Sequence, residues 1–202
     1  MTTVLFFMLT VFHQAGPSGD LAVLKSQDVT GCSLIAEYYW SRSAPDRSRE
    51  IWLRSTGSPA RHIRLTTYER DADVVFSPDC EMIALNDNVG SNIGEVRLFR
   101  RISRAIDYEP VPTADPTRKA WESFATTYHI PRLNEFLLHT YVNAVAWSSD
   151  SRALLLRVWG QSGSLNRVDD WYCVFDLRAN NVSTDLAAMN RGSVVVNGHP
   201  RQ

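Results

Sequence analysis

The stretch DVVFSPDCEMIALNDNVGSNIGEVRLFRR, Asp73 to Arg101, decides the fold. Asp73 to Phe76 is short and apolar, and Ser77-Pro78-Asp79 then sets proline and aspartate where a type I turn uses them. Met82 to Asp87 reads as a second strand. Asn88, Gly90, Ser91, Asn92 and Gly94 make the next connection a loop, and Glu95 to Arg101 reads as a third strand. Apolar runs this short, bounded by turn residues, are strands.

The same order recurs on both sides. Downstream, VNAVAWSSDSR (Val142 to Arg152) puts Trp147-Ser148-Ser149-Asp150 in the place of Phe76-Ser77-Pro78-Asp79. ALLLRVW (Ala153 to Trp159) follows, then a loop through Gly160 and Gly163, then WYCVFDL (Trp171 to Leu177). Upstream, a partial copy runs SLIAEYYW (Ser33 to Trp40), a polar Arg/Ser/Pro/Asp loop, EIWL (Glu50 to Leu53) and Ile63 to Thr66. Self-similarity of this kind marks a repeat architecture.

These units resemble the WD40-like repeats of the TolB type of β-propeller. The match lies in the two aromatic-Ser-x-Asp turns, the aliphatic strands after them, and the strands Ile51-Trp52-Leu53, Val96-Arg97-Leu98 and Tyr172-Cys173-Val174-Phe175. It covers residues 33–109 and 142–186, and departs at Cys80, where glycine is usual. The resemblance implies an all-β chain of about three propeller-like antiparallel blades, apolar on both faces because neighbouring blades cover them. A closed propeller uses at least four blades. Three imply an open or incomplete propeller: an open stack, a curled sandwich, or half of a homodimeric ring.

Residues 113–140 break the repeat. Asp115-Pro116 is a helix start, with aspartate at the cap and proline at the first helical position. Trp121, Phe124, Ala125 and Tyr128 then fall on one helical face, Pro131 ends the helix, and Leu133 to His139 suggests a short second one. Such a helix presents Trp121 and Phe124 to a partner or packs over a sheet edge, and the second reading is the plainer. Ser193 to Val196 reads as one last strand.

At the N-terminus, VLFFMLTVF (Val4 to Phe12) followed by Gly16-Pro17-Ser18-Gly19 has the form of a secretory h-region and its polar exit. Residues 1–19 are therefore expected to be a signal peptide and 20–202 a single domain, periplasmic or secreted. The alternative is a buried strand of a cytoplasmic protein, and the run is too short to span a bilayer. Cys32, Cys80 and Cys173 leave an odd thiol. One disulfide with one buried thiol, or three core cysteines, both satisfy the count.

A net charge of −1 carries no footprint for nucleic acid. Lys25 and Lys119 are the only lysines among 21 basic residues, which reflects either arginine pairing with carboxylates and rings or the base composition of the gene. No C-x-x-C, H-E-x-x-H or phosphate loop is present, and Gly160-Gln161-Ser162-Gly163-Ser164 is not a nucleophile elbow, so no cofactor or metal is expected. Asn86-Asp87-Asn88-Val89-Gly90 lacks the downstream glutamate of a calcium loop.

The reading of function is a non-catalytic exported domain binding a protein or peptide. Its candidate surfaces are the loops around Asn86 to Asn92 and Gly160 to Asn166 and the 113–140 insertion, with Asn86, Asp87, Asn88, Asn92, Trp121 and Phe124 as candidate binding residues. A hydrolase using clustered carboxylates Asp71, Asp73 and Asp87 is the alternative. The aromatics Tyr38, Tyr39, Trp40, Trp52, Trp147, Trp159 and Trp171 read as a ligand groove or, more plainly, as inter-blade packing.

Overall fold

A computed structural model of the chain describes residues 16–17, 19–29, 31–41, 49–103, 106–163, 165–196 and 199–201. The expected leader at Val4 to Phe12 lies outside them. The described chain forms three consecutive antiparallel meanders. In the first, β1 (Leu21–Val29), β2 (Leu34–Ser41), β3 (Arg49–Ser55) and β4 (His62–Tyr68) make a four-stranded sheet in chain order. In the second, β5 (Asp71–Phe76), β6 (Met82–Asn88) and β7 (Ile93–Arg101) are followed by the short β8 (Tyr108–Pro110). Helices α1 (Pro116–Thr127) and α2 (Leu133–Phe136) intervene. The third meander is β9 (His139–Trp147), β10 (Ala153–Ser162), β11 (Asn166–Asp176) and β12 (Asn181–Ser183), with β13 (Val194–Val196) and β14 (His199–Arg201) added beyond β11. A short parallel pairing of β7 with β9, Ile93 to Thr140 and Gly94 to Tyr141, fuses the second and third meanders into a ten-stranded sheet. The chain is all-β apart from the two helices, and its sheets are open.

Successive side chains of a strand face opposite ways, so the register sorts the core. Ala72, Val74, Ile83, Leu85 and Phe99 turn to one face of the second meander and meet Ala36, Tyr38, Ile51 and Leu53 of the first. Ala84, Val96 and Leu98 turn to the other and join Val142, Ala144, Leu154, Leu156 and Val158 of the third. A middle sheet covered on both faces is why its strands read as apolar runs rather than as alternation. Each fully buried Leu, Ile or Phe here contributes roughly 1.5–3 kcal/mol. Tyr38 and Trp171 are fully buried and Tyr39 and Trp52 nearly so, so these aromatics serve packing.

The two aromatic-Ser-x-Asp turns share their main hydrogen bonds. In each, the serine hydroxyl donates to the aspartate carboxylate, Ser77 to Asp79 and Ser148 to Asp150. The same hydroxyl accepts the N–H that opens the next strand, from Met82 and from Ala153. The residue after the aspartate is left-handed in both, with φ of 61° at Cys80 and 60° at Ser151. Glycine adopts that conformation without strain, which explains why glycine is usual at the position that Cys80 holds. What Cys80 adds is a disulfide to Cys32, in the turn between β1 and β2. The Ser151 hydroxyl in turn accepts the Asp79 N–H. The three meanders are thereby tied turn to turn at one end. Cys173 is the free thiol, buried, and burial pushes it up to about 12.

Helix α1 starts as its sequence indicates: the Asp115 carboxylate accepts the Arg118 N–H, and Pro116 takes the first turn. Its buried face, Ala120, Trp121 and Phe124, packs into the core shared by the second and third meanders. The Phe124 ring meets Trp121 and Trp171 edge-on at centroid distances of 5.5 and 5.4 Å. The Thr117 hydroxyl accepts the Val96 N–H, so the helix satisfies a strand donor that would otherwise be left at an edge.

Candidate functional site

The structure disperses the sequence candidates. Asn86, Asp87 and Asn88 belong to strand β6, not to a loop. The Asn86 carboxamide bridges to β9, accepting from the Ala144 N–H and donating to the Ala144 carbonyl. Asp87 is 3% exposed and pairs with Arg97 at 2.7 Å. Burial raises its carboxyl above the ordinary aspartate range, the Arg97 guanidinium opposes that shift, and Glu69 adds to it. Trp121 and Phe124 lie in the core, at 7% and 0% exposure, so a partner would meet the outer face of α1 rather than these rings. Gly160, Gln161 and Ser162 extend β10, which confines that connection to residues 163–165.

Nor do the three carboxylates of the hydrolase reading come together. Asp87 stands opposite Ala72, while Asp71 and Asp73 flank Ala72 on β5. The pleat therefore sends Asp87 to one face and Asp71 and Asp73 to the other. Asp73 is exposed and ion-paired with Lys25 at 2.7 Å. Carboxylates on opposite faces, one of them paired with the half-buried Arg97, do not form a cluster that could share a proton or a water. No group of three or more metal-ligating side chains occurs among the described residues.

Of the candidate binding residues, Asn92 sits at an open concavity. A groove of about 580 Å³ runs between Asn92 and Ile93 on one side and Pro131, Arg132, Leu133, Asn134, Leu137 and Leu138 on the other, with Thr140 at its end. It joins two surfaces marked in the sequence, the loop before β7 and the insertion. The Asn92 carbonyl accepts the Thr140 N–H, and the Ser91 carbonyl accepts the Tyr141 hydroxyl. The glycine-rich loop is thus anchored to β9.

Two glycines permit the close approach that shapes this end. A β-carbon on Gly94 would stand 2.8 Å from the Tyr141 ring, and one on Gly160 would overlap the His139 carbonyl and come within 3.0 Å of Leu137. Ile93 is 45% and Leu138 65% exposed, while Leu137 beside them is buried. The Asn92 and Asn134 carboxamides have no hydrogen-bond partner among the described residues. The groove therefore offers two apolar contacts flanked by two uncommitted amides. Sequence reasoning missed Ile93, Leu133 and Leu138 because nothing local says that residues so far apart in the chain face one another.

No family model and no curated protein matches the chain. A crystal structure of TolB from Acinetobacter baumannii is similar to it over 81% of this chain and 32% of that one, at a TM-score of 0.44 and 12% identity. The chain spans about a third of the length of that protein. No helix among the described residues is long and apolar enough to cross a membrane.

Proposed function

We propose that the chain is a non-catalytic, exported interaction domain made of three blades of an incomplete propeller. In this reading it takes an extended protein or peptide segment in the groove between Ile93 and Leu138. The observation that carries the reading is the groove itself, where two exposed aliphatic side chains stand beside two unpaired carboxamides. An extended segment has alternating side chains for the apolar contacts and main-chain N–H and C=O groups for the amides. The anchored backbone supports it further, because a site held by Thr140 and Tyr141 loses little freedom on binding.

Export is supported by the Cys32–Cys80 disulfide, a bond that persists in oxidising compartments. The blade reading is supported by three consecutive meanders whose middle member is covered on both faces.

Selection of random displayed peptides on the full chain tests the binding claim. Peptides with an apolar residue at alternate positions should be enriched. Leu138→Asp or Ile93→Asp, both at exposed positions, should weaken the selected peptides at least about tenfold, the effect of placing a charge against a buried apolar contact. Peptides that bind both variants as tightly as the parent would remove the groove from the account, and so would a failure to enrich any.

A further inference from the structure

A second concavity lies where α1 ends. After β12 the chain folds back through a turn in which Leu186 N–H donates to the Thr184 carbonyl, and Met189 and Asn190 N–H groups donate to that of Leu186. The Asn190 carboxamide then accepts the Tyr172 N–H at 2.6 Å and donates to the Tyr172 carbonyl at 2.8 Å. This amide stands in for a neighbouring strand and fixes the returning segment against β11. Between that segment and the C-terminal turn of α1 a cavity of about 570 Å³ remains, within the size range of small-molecule sites.

Its floor is the indole of Trp171, itself 1% exposed, and its wall is the ring of Tyr128. Burial raises the Tyr128 hydroxyl above the ordinary tyrosine range, and Trp171 and Ser193 oppose that shift. The rim carries Thr127, Thr184, Ala187 and Arg191. With both ends of Asn190 engaged, recognition falls to the rim. Thr127 donates to the Ser123 carbonyl and keeps its lone pairs. Neither the Thr184 hydroxyl nor the Arg191 guanidinium has a partner among the described residues. The Arg191 guanidinium is therefore open to an anion, unlike those of Arg54, Arg97, Arg118, Arg157 and Arg167, which hold carboxylates.

We propose that this cavity binds a small carboxylate with an aromatic or branched apolar body. The body packs on the Tyr128 ring, the Arg191 fork takes the carboxylate, and the Thr184 hydroxyl donates to its second oxygen. A guanidinium matches a planar carboxylate with two parallel N–H bonds. An unpaired cation beside an aromatic ring suits a monoanion with apolar bulk. The site shares no residue with the groove of the preceding section, so the two stand or fall separately.

The test titrates the full chain with 4-phenylbutyrate and with its neutral amide, followed by calorimetry and by the indole N–H resonances. The acid should bind with a dissociation constant of about 1 mM or tighter, and the amide roughly tenfold more weakly, the size of one partly exposed charge-assisted contact. Arg191→Gln, at an exposed position, should abolish the acid's advantage. Ala187→Trp, which fills the cavity from its rim, should weaken both. No binding of either probe at about ten times that concentration would overturn the proposal. So would equal binding of acid and amide by the parent, or an advantage that survives Arg191→Gln in a folded variant.

Discussion

Removing the Cys32–Cys80 bond should lower stability by about 4 kcal/mol. The two cysteines are 48 residues apart, and closing a loop of that length removes about 14 cal/mol/K of chain entropy from the unfolded state, which is ~4 kcal/mol at room temperature. For a chain of this size the urea dependence is about 2–3 kcal/mol per molar, so Cys32→Ser with Cys80→Ser should unfold at a midpoint roughly 1.3–2 M lower. A second double variant separates the cross-link from the backbone. Cys80 has φ of 61°, a conformation that any side chain bearing a β-carbon resists by ~1 kcal/mol relative to glycine. Cys32→Ser with Cys80→Gly should therefore lose about 3 kcal/mol instead of about 4. Equilibrium urea unfolding followed by tryptophan fluorescence reads both. A serine double variant within about 0.2 M of the parent would refute the view that this bond ties the first two meanders. A glycine variant no more stable than the serine one would refute the strain argument at Cys80.

Three further outcomes follow from the packing and the turns. Phe124→Ala empties the centre of the aromatic cluster between α1 and β11 and should lose about 3–5 kcal/mol in the same unfolding assay. Gly160→Ala forces a β-carbon into the His139 carbonyl; it should lose about 1–3 kcal/mol and weaken any peptide selected on the groove. Hydrogen bonds pull the Asp79 and Asp150 carboxyls below the ordinary aspartate range. At Asp79, burial opposes bonds from Ser77, the Glu81 N–H and Ser151; at Asp150, the Ser148 bond leads. A carboxyl whose folded pKa lies below its unfolded one stabilises at pH above about 4, and that contribution is lost as pH falls through the folded value. Stability measured from about pH 5 downwards should decline, and Asp150→Asn should flatten part of the slope.

The repeat was legible because its turn is a local device. Ser77 and Asp79, like Ser148 and Asp150, satisfy the backbone within a few residues, so the motif carries its own hydrogen bonds. The start of α1 was legible for the same reason, in Asp115 and Pro116. Strand β1 was not. Val23, Leu24, Lys25 and Ser26 are consecutive exposed residues on an edge strand with a bulge, and no alternation survives there. The position of Asp87 relative to Asp71 and Asp73 depends on register, which sets Asp87 opposite Ala72 and which no single strand encodes. Cys32 and Cys80 lie on separate turns, and the repeat pattern does not say that those turns touch. Arg191 and Trp171 line one cavity because Asn190 holds the segment after β12 against β11.

The binding account is tested most directly by amide hydrogen exchange of the parent chain with and without a peptide selected on it. The account predicts slowed exchange at Asn92 to Gly94 and from Arg132 to Thr140, with the first meander unchanged. Slowing confined to another part of the molecule, with those two segments exchanging as in the free chain, would contradict it.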